Sequence, residues 1–547
     1  MPRISGADAI IESLIANDVD TVFGLPGGQL DHLFDSVYRV GDKIQLIHTR
    51  HEQGAAYMAF GYAQTTGKAG VYTVVPGPGL LNSTAALCTA WACGSPVLAI
   101  SGQVHLEGID SGYGHLHEIP DQLGLIRHLT KWAERINHPT EAPAVMQQAF
   151  SELHSGRPRP VEVEMPMDVM EATALVAPAQ KAERLEPPPI DEDMVNEAAR
   201  ILSSAKRPMI VIGSGVLDAA PELLAVAERL QAPVVSKRKG KGVISDDHYL
   251  AQNLPAGHHL WGQADAVLAV GTRLKMPLTM WGHDDDLKLV RVDIDPVELN
   301  RIVNPDVGIV GDARLVLSAL SEALERIGGA VASREVELQS LKSEINASLH
   351  EQITPQMAYL DVIRTALPRD GYFIDEVTQV GFASWFGFPV YEPRHFVSAG
   401  QQGTLGYGYA TALGVAAAHP DKAVVQVSGD GGFMFTMQEL STAVHYQLNL
   451  VTIIFNDNKF SNVQRQQDEW FDGRRICSDL TNPDFVKMAE SFGAAAYRVT
   501  SPAELAKVLP QAFAQKGPKI IEVTINERMP TPWQFILKPQ NRKSLCA

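Results

Sequence analysis

Residues 427–433 read VSGDGGF and place one acid, Asp430, between glycines at the end of an apolar run. The run before it is short and β-branched, and the residues after it have helical apolar spacing, so the sequence predicts a strand, a glycine turn and a helix. Backbone N–H groups in such a turn can bind phosphate at the N-terminus of the helix. A carboxylate beside a phosphate requires a cation between them, and Mg²⁺ is held by carboxylates together with phosphate oxygens.

A second acid follows the next predicted strand, since NLVTIIF is followed by Asn456-Asp457-Asn458. The carboxyl ends of parallel strands meet at one edge of an α/β sheet, where these folds bind ligands. Asp430 and Asp457 are therefore expected to share one ion. A lone Gly-Asp-Gly is a weak signal because acids at strand ends also cap helices, but the two motifs at this distance form a specific pattern. The pattern predicts a metal-bridged diphosphate.

Strand and helix patterns alternate along almost the whole chain, which is typical of α/β layers with parallel sheets. A proline-rich charged stretch at 180–194 and a polar helical stretch at 326–356 interrupt this alternation. We therefore predict three doubly wound parallel-sheet domains, at 1–180, 190–330 and 355–547.

The two outer domains run the same course of helix, strand, glycine turn, helix and strand. The turn of the first domain, Gly77-Pro78-Gly79, lacks the acid. One interpretation is that the outer domains are duplicates that hold opposite ends of one elongated cofactor. The alternative is that any two doubly wound domains would look this similar in sequence.

The composition argues against several classes of function. A formal charge of −17 with no basic block argues against nucleic acid and an anionic membrane surface as partners. The N-terminal segment predicts an amphipathic helix rather than a signal peptide, and no apolar run is long enough to span a membrane. The few cysteines have no metal-ligand spacing and are typical of a reducing compartment: Cys88, Cys93, Cys477 and Cys546. We expect a cytoplasmic protein.

The paired motifs around Asp430 and Asp457 resemble the diphosphate and metal motif of thiamine diphosphate enzymes. Nearly all of the chain resembles the acetolactate synthase group of that family, with pyrimidine-binding, Rossmann-like middle and diphosphate-binding domains in that order. The resemblance implies that Asp430 and Asp457 bind Mg²⁺ through their side chains and Lys459 through its carbonyl oxygen. Many relatives have Asn at the second position, so Asp457 should tighten ion binding. The glycines at the diphosphate would be Gly429, Gly431 and Gly432.

The family also bends its cofactor and activates it with an acid. SAGQQGTLGYG matches the bending segment, in which the Gly403 carbonyl would accept from the 4′-amino group and Leu405 would be the apolar wedge. Leu405 can be an ordinary core residue at the same time. Glu52, in RHEQG, matches the acid that hydrogen-bonds N1′ of the aminopyrimidine ring, although by itself it is typical of a helix N-terminus. The family brings these segments together between subunits, which implies at least a homodimer and commonly a homotetramer.

The residues expected near the reacting carbon favour two different outcomes. VFGLPGGQLDHLF has Pro26, Gly27 and Gly28 in a loop where decarboxylases often carry proton-handling side chains, which favours carboligation. Other segments depart from acetolactate synthases. Gln466 replaces their usual Trp, Met167 replaces a Lys, and GTRLKMPLTMW lacks the arginine of their F-D-D-R segment.

A loop at 111–122, SGYGHLHEIPDQ, adds His115 and His117. These histidines are surface residues, a metal pair with no apparent third ligand, or active-site groups that protonate the product and so release an aldehyde. Gln103 and Gln29 are further candidates for contact with the substrate.

We predict a thiamine diphosphate- and Mg²⁺-dependent enzyme that decarboxylates a 2-oxo acid, with aldehyde release or carboligation. One alternative is an acetolactate synthase with FAD in the middle domain. The others are a pyridine-dinucleotide dehydrogenase built on that domain and a regulatory chain that binds the cofactor without catalysis. FAD is disfavoured because Gly213-Ser214-Gly215 is a common connecting turn and the flanking segments differ from those of acetolactate synthases.

Overall fold

The computed structural model describes residues 1–329 and 331–542, and its main elements are three parallel six-stranded sheets covered by helices. The predicted fold class, three doubly wound parallel-sheet domains, is confirmed. No helix in the described part of the chain is long and apolar enough to cross a membrane. Cys88, Cys93 and Cys477 are free thiols, and Cys546 lies outside the described residues.

The N-terminal unit has one parallel sheet and a small antiparallel pair. Its strands are β1 (Arg3–Ser5), β2 (Thr21–Gly24), β3 (Gln45–His48), β4 (Gly70–Val74), β5 (Val97–Gln103), β6 (Trp132–Arg135), β7 (Val161–Pro166) and β8 (Thr173–Leu175). Its helices are α1 (Gly6–Ala16), α2 (Asp31–Val40), α3 (Glu52–Thr66), α4 (Pro78–Cys93), α5 (Gln122–Arg127), α6 (Ala142–His154) and α7 (Met167–Glu171). The sheet order is β3-β2-β4-β5-β7-β6, and β1 pairs with β8.

The middle unit follows a segment without regular structure between β8 and the next helix. Its strands are β9 (Pro208–Ile212), β10 (Val234–Ser236), β11 (Ala251–Gln252), β12 (Ala266–Val270), β13 (Lys288–Asp293) and β14 (Val307–Val310). Its helices are α8 (Glu192–Ser204), α9 (Ala220–Leu230), α10 (Leu254–Trp261), α11 (Pro296–Leu299) and α12 (Ala313–Ile327). The order β11-β10-β9-β12-β13-β14 is the strand order of a Rossmann fold.

The C-terminal unit is preceded by α13 (Glu335–Gln352), which buries three leucines in a core shared with the middle unit. Its strands are β15 (Tyr372–Ile374), β16 (Phe396–Val397), β17 (Val424–Gly429), β18 (Val451–Asn456), β19 (Ala495–Val499) and β20 (Lys519–Thr524). Its helices are α14 (Thr354–Ala366), α15 (Gln379–Gly387), α16 (Tyr407–Ala418), α17 (Asp430–Phe433), α18 (Leu440–His445), α19 (Ser461–Trp470), α20 (Phe485–Phe492) and α21 (Pro502–Ala514).

The two outer sheets have the same topology. The C-terminal order is β16-β15-β17-β18-β20-β19, so both outer sheets read 2-1-3-4-6-5 when their strands are counted from β2 and from β15. The middle sheet reads 3-2-1-4-5-6 by the same count. The likeness of the outer sequences therefore reflects a shared strand order, which supports duplication. Ligands of such sheets bind where the strand order reverses, here between β2 and β4 and between β15 and β17.

The outer units pack against each other through α3 and α16. Added Cβ atoms would lie 2.1 Å from the Thr411 carbonyl oxygen at Gly61 and 2.0 Å from the Met58 carbonyl oxygen at Gly414. Only glycine allows the helix backbones to approach this closely. The surrounding apolar residues of both units form one continuous core, so the N-terminus of α3 has a fixed position relative to the C-terminal sheet.

Candidate active site

Two carboxylates lie at the ends of adjacent strands in the C-terminal sheet. Asp430 begins α17 directly after β17, and Asp457 directly follows β18, which pairs with β17. Asp430 is 2% exposed, and burial, followed by the negative charge of Asp457, raises its pKa to about 6. Because two such close carboxylates repel each other, this geometry suits a hard divalent cation between them.

Asn482, which the sequence did not single out, connects the ends of these strands. Its amide nitrogen donates to the Asp430 carboxylate at 2.6 Å and to the side-chain oxygens of Asn456 at 3.1 Å and Asn458 at 3.2 Å. Asn482 reaches the site because the segment before it forms an antiparallel bridge, at Asp479, with the segment after β18. Its role depends on this pairing, so no local sequence pattern marks it.

Both carboxylates line a cavity of about 210 Å³. Its wall contains most of the residues predicted in this domain: Leu405, Gly429, Asp430, Gly431, Gly432, Asp457 and Lys459. The rest of the wall is mostly apolar, with Val377, Phe382, Phe455, Phe460, Val463, Ile525 and Met529, and also contains the polar residues Thr378, Gln379, Ser461 and Asn462. Gly403 is not part of this wall. It is exposed and has a φ of +55°, a left-handed conformation that favours glycine.

Glu376, a second acid that the sequence analysis missed, lies behind the glycine turn. Its carboxylate accepts from Gly406 N at 2.6 Å and from Ser428 Oγ at 2.8 Å. Burial raises its pKa to about 7. Glu376 thus holds the turn after β17 against the segment that contains Leu405. An acid two residues after a buried strand, YFI, was the available sequence signal.

Gly432 is predicted to be essential for the stability of this arrangement. A Cβ there would lie 2.3 Å from the Glu376 carboxylate, so we expect Gly432→Ala to lower the free energy of unfolding by about 1–3 kcal/mol, the usual cost of overpacking. Chemical denaturation of the cofactor-free protein measures it. Gly429→Ala is the matched control, because its Cβ would meet its nearest neighbour, the Val377 carbonyl oxygen, at 3.4 Å. Equal stabilities of the two variants would contradict the prediction.

Glu52 begins α3 and is buried in the N-terminal unit, with 9% of its surface exposed. Its carboxylate accepts from Asn82 Nδ2 at 3.0 Å. Other groups satisfy the start of α3, since the His51 ring accepts from Gln53 N at 3.1 Å and Glu439 accepts from Arg50 N at 3.0 Å. The geometry therefore disfavours a simple surface cap for Glu52.

The loop after β2 lies at the same sheet edge as the start of α3. An added Cβ on Gly27 in this loop would lie 2.5 Å from the side chain of Val75, and one on Gly79, in the first turn of α4, would lie 2.6 Å from the same side chain. Pro26 and Gly28 are exposed, and a Cβ on Gly28 would meet nothing within 4 Å. This loop therefore presents backbone atoms and open space at the sheet edge.

Of the two loop histidines, only His117 contacts another predicted residue. Its Nδ1 is 3.1 Å from Gln29 Oε1, and Gln29 Nε2 donates to the Leu116 carbonyl at 3.0 Å. His117 has a φ of +67°, an uncommon conformation that is enriched at functional sites. Gln103 is buried, and its side-chain oxygen accepts from Val104 N at 2.8 Å.

His115 lies apart from this contact. It is exposed, and its ring centroid is 6.1 Å from that of Tyr113. Within residues 1–329 and 331–542, no group of three or more His, Cys, Asp or Glu side chains is placed to hold a metal ion. The structure thus offers no third ligand for a His-x-His metal pair.

Family models match all three units of the chain. Residues 4–125 match the N-terminal TPP binding domain of thiamine pyrophosphate enzymes, 195–320 the central domain and 376–523 the C-terminal TPP binding domain. The chain belongs to the thiamine pyrophosphate enzymes. The predicted family and class of enzyme are confirmed, and the predicted cofactor is confirmed as thiamine diphosphate, which is the same compound as thiamine pyrophosphate.

Relatives of this thiamine pyrophosphate enzyme include synthases and a decarboxylase. A probable acetolactate synthase large subunit of Methanococcus aeolicus is 34% identical over 96% of this chain and 92% of its own. A probable 2-ketoarginine decarboxylase of Pseudomonas aeruginosa is 33% identical over 95% of this chain and 94% of its own. The large subunit of acetolactate synthase isozyme 3 of Escherichia coli is 31% identical, over 94% and 93% respectively.

The residues of the C-terminal cavity fit the diphosphate end of the family's cofactor. The two carboxylates provide the oxygen ligands that a hard cation prefers, and Gly431 and Gly432 place backbone N–H groups at the start of α17. An added Cβ on Gly431 would lie 2.5 Å from the ring of Phe460, so the turn is closed to larger residues. Leu405 lies on the cavity wall, and its role as the wedge stays a prediction.

A second cavity, of about 260 Å³, lies mainly between the N-terminal and middle units, with Arg394 of the C-terminal unit also on its wall. It is lined by glycines and by many charged side chains, among them Arg157, Arg184, Asp218, Lys239, Arg273, Asp293, Asp312 and Arg394. His154 carries an aromatic ring on its wall, but no Phe, Tyr or Trp lines it in the described part of the chain. These residues do not form the apolar wall that a flavin ring needs, so we derive no flavin chemistry from this site.

Proposed function

We propose that this thiamine pyrophosphate enzyme decarboxylates a 2-oxo acid and then releases an aldehyde or joins the remaining fragment to an acceptor carbonyl. The observation that carries the proposal is the carboxylate pair Asp430 and Asp457 at the glycine-walled cavity. Whole-length similarity to a probable decarboxylase and to acetolactate synthases supports the same reaction class. We rank this general activity ahead of acetolactate synthesis because Met167 and Gln466 depart from that group.

We assign the metal site to three residues of the C-terminal unit. Asp430 and Asp457 would bind Mg²⁺ through their carboxylates and Lys459 through its carbonyl oxygen, while Asn482 orients Asp430. A bound ion would neutralise the repulsion between the two acids, and the backbone N–H groups of Gly431 and Gly432 would bind the diphosphate. When bound, the cofactor supplies the electron sink for the electron pair that CO₂ leaves behind.

The N-terminal residues transfer protons and leave space for the substrate. Glu52 holds a proton at its carboxylate for N1′ of the aminopyrimidine ring, and Asn82 fixes the orientation of that carboxylate through its 3.0 Å hydrogen bond. His117 contacts Gln29 through Nδ1, which leaves Nε2 to donate a proton to the product carbon. Gly28 gives the substrate room beside these groups. A proton delivered by His117 favours aldehyde release over carboligation.

We propose that the active unit is a homodimer at minimum. All residues that line the C-terminal cavity lie between Val377 and Met529. Glu52 and the other N-terminal residues of the same chain therefore do not line it. A second copy of the chain supplies them if its Glu52 edge covers the cavity. Phe435, next to the glycine turn, is 51% exposed, which is consistent with such an interface. A homotetramer and a cytoplasmic location stay predictions.

The proposal predicts that activity depends on both the cofactor and the ion. We expect CO₂ release from a panel of 2-oxo acids only with thiamine diphosphate and Mg²⁺, and removal of the ion by EDTA should abolish it reversibly. Following CO₂, aldehydes and ketols separates decarboxylation from carboligation.

The rival functions predict different results in the same assay. A dehydrogenase would change NAD absorbance without thiamine diphosphate. A regulatory chain would bind the cofactor without exchanging its C2 proton for deuterium. Either result in place of CO₂ release would contradict the proposal.

A further inference from the structure

Gln122 is the last residue of the loop at 111–122 and the first residue of α5, and its side chain is buried. This side chain joins two segments at the carboxyl edge of the N-terminal sheet. Its Oε1 accepts from Gly77 N at 2.7 Å, in the turn between β4 and α4, and its Nε2 donates to the carbonyl oxygen of Gly102, in β5, at 3.3 Å. Because β4 pairs with β5, this one amide links the ends of two adjacent strands.

The turn that Gln122 holds lies between the two proposed proton-transfer residues. An added Cβ on Gly77 would lie 2.3 Å from the His117 carbonyl oxygen, so the backbone of His117 packs directly on this glycine. Two residues later, an added Cβ on Gly79 would lie 3.5 Å from Glu52 Oε1. Displacement of the turn would therefore move the surface against which His117 and Glu52 lie.

The second backbone contact of Gln122 supports Gln29, the partner of His117. An added Cβ on Gly102 would lie 2.8 Å from the carbonyl oxygen of Gln29. The side-chain oxygen of Gln29 is 3.1 Å from His117 Nδ1. Gly77 thus supports His117 and Gly102 supports Gln29, and Gln122 is hydrogen-bonded to both glycines.

The other side of the Gln122 amide is fixed by a buried acid. Its Nε2 donates to Glu164 Oε2 at 2.7 Å, and the fully buried Glu164 also accepts from Arg135 Nε. Hydrogen bonds to ionised groups are roughly twice as strong as those between neutral groups. An amide oxygen can only accept and an amide nitrogen can only donate, so the Gly77 N–H and the Glu164 carboxylate together fix the orientation of the side chain.

A second buried acid lies next to Glu164. Glu162 is two residues earlier on β7, so both side chains lie on one face of the sheet. Glu162 Oε1 accepts from Ser101 Oγ at 2.6 Å, and its other oxygen has no hydrogen-bond partner in the described part of the chain. Burial, followed by the charge of Glu164, raises the pKa of Glu162 well above its usual value. The neutral form of Glu162 is thus favoured, and Arg135 balances the charge of Glu164.

We propose that Gln122 is the positioning residue for Glu52 and His117. It holds them in the geometry that proton transfer needs, through the backbone of Gly77 and Gly102. This rests on the proposed function, in which Glu52 holds a proton for N1′ of the cofactor and His117 protonates the product carbon. Gln122 transfers no proton itself, because its amide does not ionise near pH 7.

Gln122→Met tests the inference, because it keeps the length of the side chain and removes its hydrogen bonds. In the holoenzyme we expect deuterium exchange at C2 of the bound thiamine diphosphate to slow by about tenfold to 100-fold, the cost of a misplacement of about 1 Å. The value of kcat should fall by a similar factor, and the ratio of aldehyde to ketol should fall with it. Affinity for thiamine diphosphate should change little, because the diphosphate is bound in the C-terminal unit.

Ser101→Ala is the matched control for Gln122→Met. It disturbs the same buried cluster by removing the hydrogen bonds of Ser101 with Glu162 and Gln122. It keeps the hydrogen bonds of Gln122 to Gly77 and Glu164, so its C2 exchange rate should stay close to that of the wild type even if the protein is less stable.

Gln122→Glu adds a pH profile that a merely structural role would not produce, and it decides the question if Gln122→Met does not fold. The introduced carboxyl group can donate to Glu164 only while it is protonated. The charged and titratable groups around it are Glu162 and Glu164 on β7, Arg135 on β6 and Arg127 on α5. Its C2 exchange rate, divided by that of the wild type at the same pH, should fall as the pH rises. A ratio that does not change with pH would overturn the inference.

The remaining outcomes separate this inference from the proposed function. If Gln122→Met slows C2 exchange as expected but the wild type releases no CO₂ from any 2-oxo acid, the positioning of Glu52 stands and the proposed reaction is wrong. If the wild type releases CO₂ and Gln122→Met matches it in exchange and in products, the inference is overturned and the reaction stands. Equal slowing in Ser101→Ala and Gln122→Met would also overturn it. Slower exchange with an unchanged ratio of aldehyde to ketol would overturn the assignment for His117.

Discussion

Glu52→Gln is expected to reduce turnover by at least about 100-fold, the lower range for loss of a general acid or base. The amide keeps the size of the side chain but cannot hold and release the proton that the carboxylate moves at N1′. Cofactor affinity should change little, because the diphosphate and metal ligands lie in the C-terminal unit. Steady-state CO₂ release and calorimetric titration with thiamine diphosphate measure the two quantities, and deuterium exchange at C2 of the bound cofactor should slow in parallel.

Asn82→Ala is the matched control for Glu52→Gln. It leaves the carboxylate in place and removes only the hydrogen bond at 3.0 Å that orients it, so its loss of turnover should be smaller. The free energy of unfolding should change by less than about 1 kcal/mol in Glu52→Gln, because His51 and Glu439 satisfy the start of α3. An active Glu52→Gln variant with a clear loss of stability would favour the structural role instead.

Asp430→Asn is expected to have opposite effects on the cofactor-free and the loaded protein. Burial and Asp457 raise the pKa of Asp430 to about 6, from 3.8. An acid whose pKa is higher in the folded than in the unfolded protein contributes most to stability below its unfolded pKa. This contribution is lost as the pH rises through its folded pKa. At pH 7.5 the neutral amide should therefore stabilise the cofactor-free protein, by on the order of 2 kcal/mol. Thermal unfolding of the two cofactor-free proteins at that pH measures this gain.

Loading with the ion should reverse the order of stability. Affinity for Mg²⁺ and thiamine diphosphate should fall by more than about 100-fold in Asp430→Asn, the upper range for groups that only orient a ligand. Asp457→Asn should lose much less affinity for the ion and the cofactor, since its amide oxygen can still bind the ion. The loss of affinity in Asn482→Ala should lie between the losses in these two variants. Thermal unfolding with and without cofactor and ion measures the whole series. Equal losses in Asp430→Asn and Asp457→Asn would show that charge alone, and not the position of Asp430, controls binding.

Several features were predictable from the sequence because they depend on neighbouring residues. The apolar run before Asp430 defines β17, and the glycines after it allow the turn that begins α17. NLVTIIF defines β18 in the same way. Because the carboxyl ends of adjacent parallel strands meet, the proximity of Asp430 and Asp457 followed from these two local patterns.

Other features depended on residues that are distant in the chain. Asn482 reaches Asp430 only because a short antiparallel bridge brings its segment to β18. Glu376 acts through contacts with Gly406 and Ser428, which lie on two other segments. Hydrogen bonds of this kind have no sequence period, so pattern analysis could not assign them.

The sequence by itself determined the three parallel-sheet units, the turn chemistry and the acids at the strand ends, because strand, turn and helix preferences are local. Only the tertiary structure decided which loop histidine contacts Gln29 and which acid supports the glycine turn. These depend on packing between units, where the partner of a side chain is set by the meeting of distant segments and not by its neighbours in the chain.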